Sequence, residues 1–198
     1  MARKKTEVPA IKFWTPLRIV TTLIVLGLLA AFGISSCNSN DRPSRRTANL
    51  PSMPAVIFDT EMRAANGDPI KLSNYSGKVL FVNLWATWCG PCQMETPELV
   101  RLHKEYQPRG VEFVGLSTED PDASAQKVRD FMNRYQVGYQ IGWATREVAL
   151  TLMQGRASIP QSFIITRDGR LMKRIFGFHP QRTPPELKQA LEDALIEG

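Results

Sequence analysis

"VLFVNLWATWCGPCQMETPEL", residues 79–99, joins three signals in one line. Val79–Trp85 is apolar except at Asn83, as expected of a central strand buried on both faces. A helix is predicted from about Pro91 to Tyr106. Between strand and helix stand Cys89 and Cys92. This order places Cys89 at the helix N-terminus, where unpaired backbone N–H groups and the helix dipole favour an anion. A thiolate there is stabilised, so its pKa falls below the free value of about 8.5. Cys92, one turn further on, is expected to be the more buried. That asymmetry suits dithiol exchange, with Cys89 attacking a substrate disulfide and Cys92 resolving the mixed disulfide.

Other uses of the pair fit less well. Structural zinc needs four ligands, and the chain has no second Cys-x-x-Cys. Its two histidines are His103 and His179. His103 lies eleven residues beyond Cys92, too far up the helix to join the pair. His179, in a "GFHP" turn, reads as a surface or structural residue. A two-thiolate Cu(I) site and a purely structural disulfide stay open as alternatives. A loop this short removes little chain entropy.

Outward from this stretch the signals alternate. "AVIFD" (55–59) reads as a short strand, and "NGDPIKL" as an Asn-Gly turn and a second strand. "VEFVGLS" (111–117) is another buried strand. Asp120 and Pro121 form an N-cap and N1 pair, opening a helix with Val128, Phe131, Met132 and Tyr135 on one face. "YQIGW" reads as a short strand. Thr145 and Gly155 bound a short helix. "QSFIIT" and "RLMKRIFGF" are strands joined at Asp168-Gly169. The last helix opens with a Thr183–Glu186 capping box and buries Leu187, Ala190, Leu191, Ala194 and Leu195. The order β-β-β-α-β-α-β-α-β-β-α predicts an α/β fold: a mixed central sheet with helices on both faces.

The 198-residue chain carries a formal charge of +6, which at first suggests an acidic partner. Residues 1–50 hold eight basic side chains against Glu7 and Asp41, leaving 17 basic and 17 acidic residues in 51–198. The domain is electroneutral, and nothing favours nucleic acid. The basic excess flanks an apolar run, Ile19–Ile34, inside a charge-free stretch that reaches Asn40. A bilayer-spanning helix needs about 20 such residues, and the run qualifies with its neutral neighbours. Residues 1–36 are therefore expected to be a cytoplasmic stub and membrane anchor, or a lipoprotein signal ending at a lipidated Cys37. Residues 37–54 form a flexible linker, and 55–198 the globular domain. Both readings of the N-terminus put that domain outside the cytoplasmic membrane of a bacterium, on the periplasmic side, where disulfides persist.

"WCGPC" with Pro97 downstream resembles the thioredoxin superfamily. The longer string "IKLSNYSGKVLFVNLWATWCGPCQMETPEL" is similar to its membrane-tethered TlpA/ResA branch, and "SIPQSFIITRDGRL" to that branch's cis-proline strand and hairpin. The resemblance covers roughly 55–198. It implies a thioredoxin-like fold with an N-terminal hairpin extension and a central insert near 118–145. It also implies an extracytoplasmic thiol-disulfide oxidoreductase with Cys89 and Cys92 as its redox-active disulfide, and no cofactor or metal. Trp88 would pack beside the disulfide, Gly90 and Pro91 would set the loop, and Ile159–Pro160 would be the cis-proline that meets a bound peptide.

Gln161 stands where the branch often has Thr. Plain thioredoxins have a buried Asp at the position of Asn83, which cannot titrate; Glu95 matches the branch's Glu and would tune the thiols and accept a proton. Glu98 reads as an exposed helical residue. Trp143 and Tyr139 in the insert read first as core, and otherwise as partner contacts. The implied partners are a protein disulfide substrate, such as an apocytochrome c, and a transmembrane thiol reductase as electron donor. A thiol peroxidase is the first rival, although Thr87 is two residues before Cys89, not the three that peroxiredoxins use. A copper-delivery protein is the second.

Overall fold

The computed structural model describes residues 49–197. The expected anchor over 1–36, Cys37 and most of the linker lie outside these residues. Among the described residues no helix is long and apolar enough to cross a membrane.

The elements are α1 (Ala55–Asp59), β1 (Met62–Ala64), β2 (Pro69–Ile70), β3 (Val79–Trp85), α2 (Gly90–Tyr106), β4 (Val111–Ser117), α3 (Pro121–Tyr135), β5 (Gln140–Trp143), α4 (Arg146–Met153), β6 (Gln161–Ile165), β7 (Leu171–Phe176) and α5 (Thr183–Ile196). Seven strands make one mixed sheet in the order β2-β1-β5-β4-β3-β6-β7. β3, β4 and β5 run parallel, and β6 is antiparallel to β3. Every residue of β3 is buried, which explains why all of them but Asn83 are apolar: both faces are covered. Phe81 and Trp85 face a layer built on Leu99, Leu102, Val128, Phe131 and Leu187 from α2, α3 and α5. Leu80, Val82 and Leu84 face α1 and α4 through Ile57, Val148 and Leu152. The insert is α3 and β5, and β5 seats between β4 and the β1–β2 hairpin.

Gly115 in β4 sits across from Asn83. A Cβ there would meet Ile141 Cδ1 at 2.5 Å and Trp85 Nε1 at 3.1 Å. Any larger residue here would push Ile141 aside and crowd Trp85.

Three expectations differ from what is seen. Residues 55–59 form a one-turn helix rather than a strand, with Ile57 buried between α4 and the sheet. The first strand comes a few residues later, at Met62–Ala64. So short an apolar run satisfies either period, and Pro54 just before it suits a helix start. The capping box at α5 does not form. Thr183 is already the first helical residue, and its hydroxyl accepts the His179 N–H at 2.8 Å, while Glu186 pairs with Lys173 at 2.9 Å. The end of the expected linker is also fastened down: Ser52 bridges Arg170, and the Met53 N–H donates to Gly169 O at 3.1 Å.

Candidate active site

The site assembles where β3 and β4 end and β6 begins, against the start of α2. Cys89 caps α2, with Gly90 and Pro91 in its first turn. Cys89 and Cys92 are joined as a disulfide with Cα atoms 5.2 Å apart. The Cys92 N–H donates to Cys89 Sγ at 3.2 Å, so the helix terminus does direct a donor at the first sulfur. The expected difference in exposure is small in this oxidised form: 4% for Cys89 and 1% for Cys92. Trp88, next to the disulfide in sequence, leaves 70% of its surface exposed. Its indole is an open apolar face at the mouth of the site. Ile159–Pro160 is cis. The Ile159 carbonyl oxygen lies 3.7 Å from Cys89 Sγ, which places the cis-proline turn against the first cysteine.

Behind the sulfurs is a buried polar cradle. Asn83 on β3 and Ser162 on β6 are register partners, so their side chains share one face of the sheet. Glu95, three residues past Cys92 on the buried side of α2, lies over them. Asn83 Nδ2 donates to Glu95 Oε2 at 3.0 Å and to Ser162 Oγ at 3.0 Å, and Ser162 Oγ donates to Glu95 Oε1 at 3.2 Å. Burial pushes the Glu95 carboxyl up to about 7, against the opposing pull of the Asn83 and Ser162 hydrogen bonds. The Tyr139 phenol beside it is raised as well, chiefly by burial and then by the Glu95 charge.

A second carboxylate holds the loop in front of the sulfurs. Glu119, just past β4, accepts the Thr87 N–H at 2.7 Å on one oxygen and the Thr87 hydroxyl at 2.7 Å on the other. Ser117 Oγ donates to it at 3.2 Å, and Gln93 Nε2 donates to the Thr87 carbonyl at 2.8 Å. The Thr87–Cys89 segment is thus gripped from β4 and from α2 together. A third device is Gln161, fully buried after the cis-proline. Its amide donates to Arg156 O at 2.7 Å and Ser158 O at 2.6 Å, bracing the loop that delivers Ile159.

The site residues expected from the sequence converge here: Cys89, Cys92, Glu95, Trp88, Gly90, Pro91, Ile159 and Pro160. Glu98 pairs with Arg101 at 2.7 Å, away from the sulfurs. His103 packs edge-on against Phe113 and Tyr139. Tyr139 and Trp143 are buried, and Trp143 donates to Ser124 Oγ at 2.8 Å, so the insert's aromatics are core. Among the described residues no three His, Cys, Asp or Glu side chains group as metal ligands would. Thr87, Glu119 and Ser162 were not read as site residues. Their partners lie 32 and 67 positions away in sequence, beyond the reach of any local pattern.

A sequence model described as the AhpC/TSA family matches residues 54–174. The thiol-disulfide oxidoreductase ResA of Geobacillus thermodenitrificans (strain NG80-2) is 30% identical over 175 residues, covering 88% of this chain and 94% of the relative. The ResA of Bacillus cereus (strain ATCC 10987 / NRS 248) is 29% identical over 175 residues, covering 88% and 93%. Among solved structures, a thiol:disulfide interchange protein of the thioredoxin family from Chlorobium tepidum TLS superposes with a TM-score of 0.63. It is 26% identical, covering 74% of this chain and 97% of that one.

Proposed function

The chain belongs to the AhpC/TSA family and to the ResA thiol-disulfide oxidoreductases within it, and from that membership we propose that it works in the reducing direction on the outer side of a bacterial membrane. It is a thiol-disulfide oxidoreductase, and protein disulfides are its substrates. In our reading, residues 1–36 hold it at the membrane, either as an uncleaved anchor or up to a lipidated Cys37. Residues 37 to about 50 let the domain stand off, and the substrates are secreted or membrane proteins such as apocytochromes c. The apolar Ile19–Ile34 run with its basic flank supports this placement.

The observation that carries the reaction is the disulfide at the start of α2, with the cis-proline turn against Cys89 and a buried carboxyl one helical turn beyond Cys92. In the reduced enzyme the Cys89 thiolate attacks one sulfur of the substrate disulfide. A Cys89–substrate bond forms, and the other substrate sulfur leaves as a thiolate and takes up a proton. Glu95, whose carboxyl titrates near neutrality, accepts the Cys92 proton. The Cys92 thiolate then attacks Cys89 Sγ, which closes the enzyme disulfide and expels the second substrate thiolate. Two electrons have passed to the substrate. A transmembrane thiol reductase returns the enzyme to the dithiol.

Trp88 and Ile159–Pro160 hold the peptide during the exchange, and Gly90 and Pro91 keep the loop tight. Gly-Pro between the cysteines favours the reducing direction. The test is to replace Cys92 with Ser in the native membrane, so that the mixed disulfide on Cys89 cannot be resolved, and to identify what is trapped. Apocytochromes c are expected; a broad range of secreted proteins would replace that substrate with general disulfide reduction.

A further inference from the structure

β7 is an edge strand, and its last residue, Phe176, lies opposite Gln161, next to the cis-proline. The Gly177 N–H donates to the Pro160 carbonyl at 2.8 Å, which fastens this corner to the active-site turn. Phe176 is 42% exposed. Two guanidinium groups lie on its ring, Arg156 at 4.6 Å and Arg174 at 4.4 Å from the centroid. Arg174 spends its terminal donors on neutral acceptors: Gln154 Oε1 at 2.9 Å, Met153 O at 2.7 Å and Gln161 Oε1 at 2.6 Å. Its Nε is buried with no acceptor. Burial and the charge of Arg156 hold its pKa below the ordinary guanidinium value, so the two like charges feel one another.

Among the described residues no carboxylate forms an ion pair with Arg156, Arg174 or Arg182. The nearby Lys173 does find one, Glu186 at 2.9 Å. Arg174 and Arg182 line a common groove of about 430 Å³ that wraps the β7 edge; Glu186 also lines it and is already paired. In a domain with as many acidic as basic residues, this corner has collected cations and left them without anions. A guanidinium fork matches a carboxylate in shape and charge, and an aromatic ring beside it adds a cation–π contact.

We propose that Arg156 and Arg182, around Phe176 and backed by the charge of Arg174, are the docking surface for an acidic segment of the substrate polypeptide, Asp or Glu residues flanking the disulfide to be reduced. The occupant is polypeptide because the corner abuts Ile159–Pro160, whose carbonyl touches Cys89; a chain whose disulfide reaches Cys89 passes over it. This rests on the reading of the protein as a disulfide reductase.

The test uses the reduced full-length protein in detergent and two synthetic peptides. Each closes one internal disulfide, flanked by aspartates in one and by lysines in the other. Each reduction rate is divided by the rate of the same peptide with dithiothreitol, which cancels the peptides' own reactivity. The aspartate peptide is expected to be favoured about fivefold at low ionic strength, less as salt is added. Arg156→Gln and Arg182→Gln each bring the ratio towards one, and losses common to both peptides drop out of it. Equal rates in the wild type, or a ratio that neither variant moves, would overturn the proposal. If both substitutions weaken binding to vesicles rich in anionic lipid but leave the peptide ratio alone, the surface serves the membrane and the proposal fails. Reduction of neither peptide removes the reductase reading, and this one with it.

Discussion

Two glutamates serve the active-site segment, Glu95 behind it on α2 and Glu119 on the Thr87 loop, and only the first is marked in the sequence. Glu95 is 1% exposed and receives its hydrogen bonds from two side chains, Asn83 and Ser162. Glu119 is half-buried and accepts from both the backbone and the hydroxyl of Thr87. Burial raises Glu95 to about 7. The lesson is that water sets the role: a carboxylate removed from solvent holds a proton near neutrality, and one left at the surface with strong donors serves as an anchor.

The largest expected effect tests the buried member. Its folded pKa lies above the unfolded one, so between about 4.5 and 7 the folded state binds the proton more tightly. Stability should therefore be full below about pH 4.5, fall as pH rises to about 7, and level off above. The loss is up to about 3 kcal/mol at 1.36 kcal/mol per unit. Denaturant titrations of Glu95→Gln should lack this slope, and the pH profile of Cys92 alkylation should lose its inflection near neutrality. A variant that keeps both features would end the role assigned to Glu95.

Next comes the anchor. Glu119→Ala frees the Thr87–Cys89 segment and should cost about 2 kcal/mol, since it removes hydrogen bonds to a charged group. The reduction rate should fall with it. Glu119→Gln should recover part of both. An unchanged stability in Glu119→Ala would mean that this carboxylate is no anchor.

Smaller effects sharpen the cradle. Ser162→Ala removes one donor to Glu95 and should raise its pKa further, at a cost of about 1 kcal/mol. Infrared detection of the carboxyl band through a pH titration would show it, and a lowered pKa would overturn the hydrogen-bond assignment. Thr87→Ser, which retains both bonds to Glu119, should change stability by less than about 0.5 kcal/mol; thermal unfolding measures this.

Much of this was legible before the fold. The run Val79–Trp85 names a strand covered on both faces, and Asp120-Pro121 and Thr145 mark helix starts that the structure keeps, each with side-chain caps to backbone N–H groups. Cys89 and Cys92 were legible because their spacing is a local property of a helix start, whereas Glu95 and Pro160 were legible only through the resemblance to the TlpA/ResA branch. Glu119, Ser162 and the bracing by Gln161 were not. Each depends on which strand lies beside which, and hydrophobic period carries no such information. Residues 55–59 are ambiguous for a related reason: so short an apolar run satisfies either period, and its helix is settled by what Ile57 packs against. The Thr183–Glu186 pair had the right letters for a cap, but His179 and Lys173 took both side chains first.

The cradle has one more consequence, for when the chemistry becomes available. Its members stand at 83, 95 and 162, and the Asn83–Ser162 bond spans 79 positions. A chain still emerging, or one that has begun to unravel, leaves Glu95 in water with the acidity of any surface carboxylate, and Cys89 and Cys92 as two unassisted thiols. The proton acceptor proposed for Cys92 is complete only once β6 has zipped onto β3, so on that reading completion of the sheet is what arms the enzyme.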